Sequence, residues 1–219
     1  MDTAALLAHA ELFSALDADA VDLVAAAAHP ITFRRNDLVF SEGDEATELF
    51  VVRSGRIAIA NRSSDGRESM MALMEAGDLF GEMSMFDGDL RSADARALEP
   101  SELLAVPFAP IRAVLEARPE LLWAVVSLLV RRLRSTDAAL ADSVFLDVPG
   151  RTAKRLLELA GGASEFTLPV TQEELAGMVG ASRERVNKAI SAFVRLGWLE
   201  QVDRRYRITD LEQLSRRAR

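Results

Sequence analysis

Between residues 30 and 108 the apolar positions come in short runs: 38–40, 49–52, 56–60, 69–74, 79–80 and 103–106. Gly43, Gly55, Gly66, Gly77 and Gly88 lie among them at steps of 11 or 12 residues. Short runs at that spacing, divided by glycine turns, predict an antiparallel sandwich or barrel. Ser64-Asp65-Gly66 has the composition of a hairpin tip.

The rhythm then lengthens. Pro119 suits the first turn of a helix running to residue 145. Within it Leu122, Val126, Leu129, Leu133, Thr136, Leu140 and Ser143 step alternately by 4 and 3, an a/d heptad seam. Such a seam needs a cover. The sheet domain is one candidate, but a period of 3.5 rather than 3.6 favours a second helix and so a dimer. Thr136 is a polar intruder in the seam, and Asp137 stands beside it. Asp147-Val148-Pro149-Gly150 ends this helix and can start the next. Asp147 is the predicted N-cap, Pro149 lies in the first turn, and a helix over 151–160 runs to the loop Gly161-Gly162.

Thr171-Gln172-Glu173-Glu174 forms a capping box. That helix ends at Val179 with Gly180 behind it, and Ser182 caps another. Two helices joined by Gly180-Ala181-Ser182 predict a helix-turn-helix. In the second helix Val186, Ala189, Ile190, Phe193 and Val194 make an apolar face. Arg183, Glu184, Asn187, Lys188 and Ser191 make the opposite one. That polar face suits either solvent or a DNA major groove. Arg and Glu in its first turn favour DNA, since Arg pairs with guanine O6 and N7 and Glu accepts from cytosine N4. Residues 198–209 read as two short strands around Asp203-Arg204, a wing offering Arg204, Arg205 and Arg207 to phosphates.

Charge changes the picture only when divided. The 219 residues carry 26 basic and 34 acidic side chains, net −8, a weak argument against a nucleic-acid partner. Residues 148–219, however, hold 13 basic and 9 acidic residues, net +4, against net −12 for residues 1–147. An acidic front carries a basic back. There is no cysteine, which excludes disulfides, thiolate-held clusters and cysteine nucleophiles. With two histidines, His9 and His29, a histidine-rich metal site is not expected. The first ten residues lack a signal-peptide pattern. The apolar run 121–130, interrupted by Ser127, is too short to span a bilayer. A cytoplasmic protein without a membrane partner is the expectation.

Candidate effector chemistry lies in Gly77-Asp78-Leu79-Phe80-Gly81-Glu82-Met83-Ser84 and in Arg91-Ser92-Ala93. Gly81 lets backbone approach a ligand. Arg91 supplies a fork suited to phosphate, Ser92 a hydroxyl beside it, and Glu82 an acceptor for a ribose hydroxyl. There is neither a P-loop lysine nor a G-x-G-x-x-G opening a helix. Glu75, Asp78 and Glu82 are acidic groups of the kind a nucleotide hydrolase would use, but no histidine base, metal cluster or nucleophile elbow accompanies them. No catalytic residue is expected.

Taken together, residues 10–215 resemble the cyclic-AMP receptor protein (CRP/FNR) superfamily of bacterial transcription regulators. The resemblance is carried by Gly81-Glu82-Met83-Ser84 with Arg91-Ser92-Ala93, by Phe145-Leu146-Asp147-Val148-Pro149-Gly150-Arg151, and by Thr171-Gln172-Glu173-Glu174 with Gly180-Ala181-Ser182-Arg183-Glu184-Arg185-Val186-Asn187-Lys188. It implies an α+β chain: a cyclic-nucleotide-binding, jelly-roll-like β-roll with N-terminal helices (1–118), a long dimerisation helix and hinge (119–147) and a winged helix-turn-helix (148–219). The implied effector is cAMP. Gly81, Glu82 and Met83 would meet ribose and phosphate, Arg91 and Ser92 the cyclic phosphate, Thr136 and Asp137 the base, and Met71 is grouped with them. DNA would be met by Thr171, Gln172, Ser182, Arg183, Glu184, Asn187, Lys188 and Arg204. The implied partners are double-stranded DNA at palindromic sites, a second copy of the chain, and RNA polymerase. Asp137 stands where adenine-binding members carry Ser or Asn, Lys188 replaces a frequent Arg, and the wing lacks the usual turn glycine. A regulator of the same fold that needs no cyclic nucleotide, or answers another small effector, is the alternative. Cluster-based oxygen sensors of this superfamily need N-terminal cysteines, which are absent here. Neither histidine falls where a haem ligand would be expected.

Overall fold

A computed structural model describes residues 2–62 and 68–219. Contacts divide the chain into two units, Met1–Leu133 and Arg134–Arg219. The predicted hairpin tip Ser64-Asp65-Gly66 lies outside the described residues.

The first unit runs α1 (Thr3–His9), α2 (Ala18–Ala27), β1 (His29–Phe33), β2 (Leu38–Phe40), β3 (Glu48–Ser54), β4 (Ile57–Arg62), β5 (Glu68–Met74) and β6 (Leu79–Phe80). It continues with α3 (Met83–Asp87), β7 (Asp94–Ala97), β8 (Ser101–Pro107) and α4 (Phe108–Ala117). A 3-10 turn, Pro119–Leu121, then leads into α5 (Leu122–Phe145), which begins in this unit and ends in the second. Among the described residues the strands form two four-stranded antiparallel sheets, ordered β1-β8-β3-β6 and β2-β7-β4-β5.

Successive residues of β3 serve two layers. Phe50 and Val52 join Phe80, Leu103, Ala105, Ala95 and Ala97 between the sheets. Leu49 and Val51 turn the other way, onto a second core with Leu6, Leu7, Phe13, Val24, Ile111, Val125 and Leu128. A strand buried on both faces loses its alternation, so 49–52 reads as a continuous apolar run. Two strands escape sequence reading. β1 carries Pro30, tolerated because β1 lies at a sheet edge. β7 places only alanines, Ala95 and Ala97, inward, and alanine is a weak strand former.

The second unit adds α6 (Val148–Ala160), β9 (Glu165–Thr167), α7 (Gln172–Val179), α8 (Arg183–Arg195), β10 (Leu199–Val202), β11 (Arg205–Ile208) and α9 (Leu211–Arg217). Its sheet is ordered β10-β11-β9, so the two predicted wing strands gain a third. Asp147 caps α6 by accepting from the Gly150 amide at 2.9 Å, and the helix starts three residues before the predicted 151. Val148, Leu156, Leu175, Val179, Val186, Ile190, Phe193 and Leu214 are buried among the helices. No helix among the described residues is long and apolar enough to cross a membrane.

Candidate functional site

In the first unit β6 ends at Phe80, and the chain turns through Gly81 and Glu82 into α3. Gly81 has φ +78°, and a Cβ there would stand 2.8 Å from Arg91 Nη1 and 3.3 Å from the Phe40 ring. Glycine is therefore required twice, by backbone conformation and by the guanidinium packed against it. Arg91 is buried. Its Nη1 donates to the Gly81 carbonyl at 2.5 Å and its Nη2 to the Glu48 carbonyl at 2.6 Å. Its guanidinium carbon lies 4.2 Å from the Phe40 ring centre. Main-chain carbonyls and a ring face hold the cation without cancelling its charge. Burial lowers its pKa, opposed by the nearby Glu48, Asp44 and Glu82 carboxylates. Its Nε has no hydrogen-bond partner among the described residues.

Glu82 is wholly buried. Arg132 Nη1, from α5, stands 2.6 Å from its Oε1. Neither carboxylate oxygen is nevertheless aligned with a hydrogen-bond donor among the described residues. Burial pushes the carboxyl pKa up, and the Arg132 charge opposes the shift. A buried carboxylate with unfilled acceptor sites is costly to the fold alone. A buried carboxylate with acceptor capacity left over and a buried guanidinium nine residues on match the one free ribose hydroxyl and the single anionic phosphate of a cyclic nucleotide. The residues fit that group.

The other predicted effector residues are placed differently. Ser92 is exposed beside Arg91, with its Oγ 3.8 Å from Met83 Sδ. Met83 is itself partly exposed, while Ser84 is buried. Met71 sits on edge strand β5, exposed, where the β4–β5 register shifts. Thr136 and Asp137 belong to the second unit, and both are exposed on α5. Sequence reasoning missed Arg132. It shares its helix with Arg131 and Arg134, and no spacing sets it apart; only the fold shows it reaching Glu82 and the Leu79 carbonyl, the latter at 2.8 Å.

Helix α5 carries two apolar stripes, of which only one is buried. Val125 and Leu128 are buried in the first unit's core. Leu122, Val126, Leu129 and Leu133, with 44%, 44%, 41% and 60% of their surface open, lie on the uncovered side, followed by Leu140. The sheet domain thus packs against a different stripe, leaving the heptad positions uncovered in the single chain.

In the second unit both halves of the capping box form. Thr171 Oγ1 accepts from the Glu174 amide at 3.2 Å, and Glu174 Oε2 accepts from the Thr171 amide at 2.6 Å. Gly180 closes α7 at φ +66°, and Ser182 caps α8 by accepting from the Arg185 amide at 3.4 Å. Val186, Ala189, Ile190 and Phe193 are buried, and Arg183, Glu184 and Lys188 are exposed, with Asn187 half-buried. The faces read from the sequence are those of the folded helix except at Val194, which was assigned to the apolar face and is exposed, lying at the helix end beyond the packed residues. Asp203 takes the left-handed conformation at φ +55°, filling the turn in place of glycine. A concavity of about 330 Å³ is lined by Thr171, Gln172, Arg183, Gln201, Asp203 and Arg204 among others. Two predicted DNA residues have partners inside the unit: Gln172 turns its amide to Tyr206, and Arg204 donates to the Leu168 and Val170 carbonyls. Arg207 pairs with Glu165 and Glu200.

The cyclic nucleotide-binding domain family matches residues 30–118, and the Crp-like helix-turn-helix domain family matches residues 150–217. A CRP-like cAMP-activated global transcriptional regulator of Mycobacterium tuberculosis is 39% identical over 221 residues, covering 98% of this chain and 99% of its own. The cyclic AMP receptor protein of Thermus thermophilus is 33% identical over 186 residues, 85% of this chain and 86% of its own. Among solved structures, the c-di-GMP responsive global regulator CLP of Xanthomonas campestris is similar at TM-score 0.75 and 26% identity, over 88% of this chain and 99% of that one. The Thermus thermophilus catabolite activator protein is similar at TM-score 0.55 and 30% identity, over 95% and 98%.

Proposed function

The chain belongs to the CRP-like family of transcription regulators, which are not enzymes, and from that premise we propose that it is a cAMP-responsive dimer reading palindromic promoter DNA. The observation that carries the effector half is the segment at residues 81–91, where a wholly buried Glu82 carboxylate, ion-paired with Arg132 through one oxygen, lies near Arg91, a buried, carbonyl-held cation. In this reading residues 1–118 sense, 119–147 dimerise and act as hinge, and 148–219 read DNA. Arg91 and Ser92 hold the cyclic phosphate, with Gly81 and Met83 beside it, Glu82 accepts from ribose, and Met71 lines the outer edge. Thr136 and, from the second copy, Asp137 meet the base.

Two copies of the seam cover one another, because exposed leucines at 3.5-residue spacing match a second identical helix. The two α8 helices then lie about one DNA turn apart. Arg183 and Glu184 meet base edges, Asn187 and Lys188 follow along the groove, and Thr171 and Ser182 meet phosphates. Effector occupancy shifts the dimer toward its DNA-competent arrangement only by its differential affinity for the two states. The protein acts in the cytoplasm, with RNA polymerase as partner at the promoter.

Asp137 favours keeping a second reading, in which the effector is not cAMP. A carboxylate accepts from the adenine amino group but adds negative charge near an anionic ligand. The similar CLP protein is described as responsive to c-di-GMP. Titrating cAMP, cGMP and c-di-GMP while following DNA anisotropy separates the two readings. We expect cAMP to raise DNA affinity at least tenfold. An equal affinity at every cAMP concentration would refute the cAMP reading.

A further inference from the structure

The wing and the start of α7 are fastened together by side chains that the DNA-reading role leaves unexplained. Tyr206, on β11, is buried, and its hydroxyl accepts from Gln172 Nε2 at 2.6 Å. Gln172 is the first residue of α7, directly after the Thr171 cap. The Tyr206 ring is stacked on Phe166, with centres 5.6 Å apart, so the hydroxyl has a fixed address. Two residues before it, Arg204 Nη2 donates to the Leu168 carbonyl at 2.8 Å and reaches the Val170 carbonyl at 3.4 Å, and the Leu168 amide donates to the Arg204 carbonyl at 2.7 Å. Both fastenings end on residues 168–172, the segment that leads the chain into the helix-turn-helix. Thr171, Gln172, Arg183, Asp203 and Arg204 line one concavity there. The Gln172 Oε1 is buried without a hydrogen-bond partner among the described residues. A polar group left half-satisfied is a poor way to add stability, but it does fix geometry.

We propose that Tyr206 and Arg204 are positioning residues for DNA binding, latching the wing onto the start of α7 so that wing tip, Thr171 and Arg183 meet the duplex as one preset surface. This rests on the DNA-reading role proposed above and assigns Arg204 to that latch rather than to a phosphate. A surface already in its bound arrangement loses less ordering entropy on binding. An arginine fork can span two carbonyls, whereas a lysine is a point charge.

The test uses the full-length protein with cAMP and a fluorescein-labelled duplex that the wild type selects from a random pool. Anisotropy is read from 50 to 300 mM KCl at a temperature far below unfolding. Tyr206→Phe, Gln172→Ala and the double variant should each weaken binding about three- to tenfold by the same factor, with the salt slope unchanged, because the pair acts as one unit. Arg204→Lys and Arg204→Ala should weaken binding alike, again with the slope unchanged. A slope smaller by about 0.9 for each lost contact in Arg204→Ala, restored in Arg204→Lys, would make Arg204 a phosphate contact and overturn its place in the latch. Unaltered affinity in Tyr206→Phe, with a lowered melting temperature only, would show a purely structural pair and overturn the rest. If the wild type selects no duplex at all, the DNA-reading role falls first and the latch with it.

Discussion

Arg91 and Asp147 show how one side chain can serve a site or a joint. Arg91 has its cation buried against Phe40 and two carbonyls, so an alanine there removes both the charge and the packing. Arg91→Ala should abolish calorimetric binding of cAMP, and binding at wild-type affinity would contradict the pocket assignment. Asp147 accepts from the Gly150 amide and pairs with Arg217, and these contacts, in that order, hold its carboxyl below the ordinary carboxylate range. The group is ionised more readily in the folded unit, so its stabilising effect is complete above the unfolded pKa. The effect is lost as pH falls through the lower, folded value. Asp147→Ala should cost about 1 kcal/mol at neutral pH, the usual size of an N-cap. In denaturant melts taken down the acid limb, the variant and wild-type curves should converge. A gap that stays constant to the lowest pH would rule out the charged cap as its source.

Among the elements, α5 carries the most testable division. One stripe, Val125 and Leu128, belongs to the first unit's core, and the neighbouring stripe at Leu129 and Leu133 is uncovered. Leu128→Ala should destabilise the first unit by about 2–5 kcal/mol, as other buried leucines do. Leu133→Glu should leave that unit folded and instead shift light-scattering mass from dimer to monomer. A Leu133→Glu protein that remains dimeric would refute the seam as the interface. α5 was readable from its sequence because the 4-3 steps extend over three heptads. β1 and β7 were not, because Pro30 and the small inward alanines carry no strand signal until β8 and β4 pair with them. β9 likewise has only three residues and is defined by its register, Phe166 opposite Tyr206.

For the whole molecule the unequal division of charge matters most. Net −12 on residues 1–147 faces the same polyanion that net +4 on residues 148–219 attracts. Long-range repulsion of this kind weakens non-specific binding, whose affinity is essentially all electrostatic. A truncated chain of residues 148–219, with its dimer restored by a leucine zipper, should bind random duplex more tightly than the full protein in 50 mM KCl. Its salt dependence should also differ. Identical non-specific affinity and slope would show that the acidic part takes no share in release from DNA.

Features that depend on neighbours along the chain are legible in the order of residues. The Thr171 capping box, the Gly180 and Ser182 joint, the two faces of α8, the seam of α5 and the Asp147 cap all arise from contacts within one turn or one helix, and spacing records them. Tertiary structure alone decided what depends on residues far apart. It brought Arg132 to Glu82 across 50 positions, Arg91 to the Gly81 and Glu48 carbonyls, and Tyr206 to Gln172. It also decided which stripe of α5 the sheet domain covers. No local pattern encodes such pairs, because each partner is an ordinary residue of its own element. Only burial, by removing water as the competing partner, makes the pairing specific.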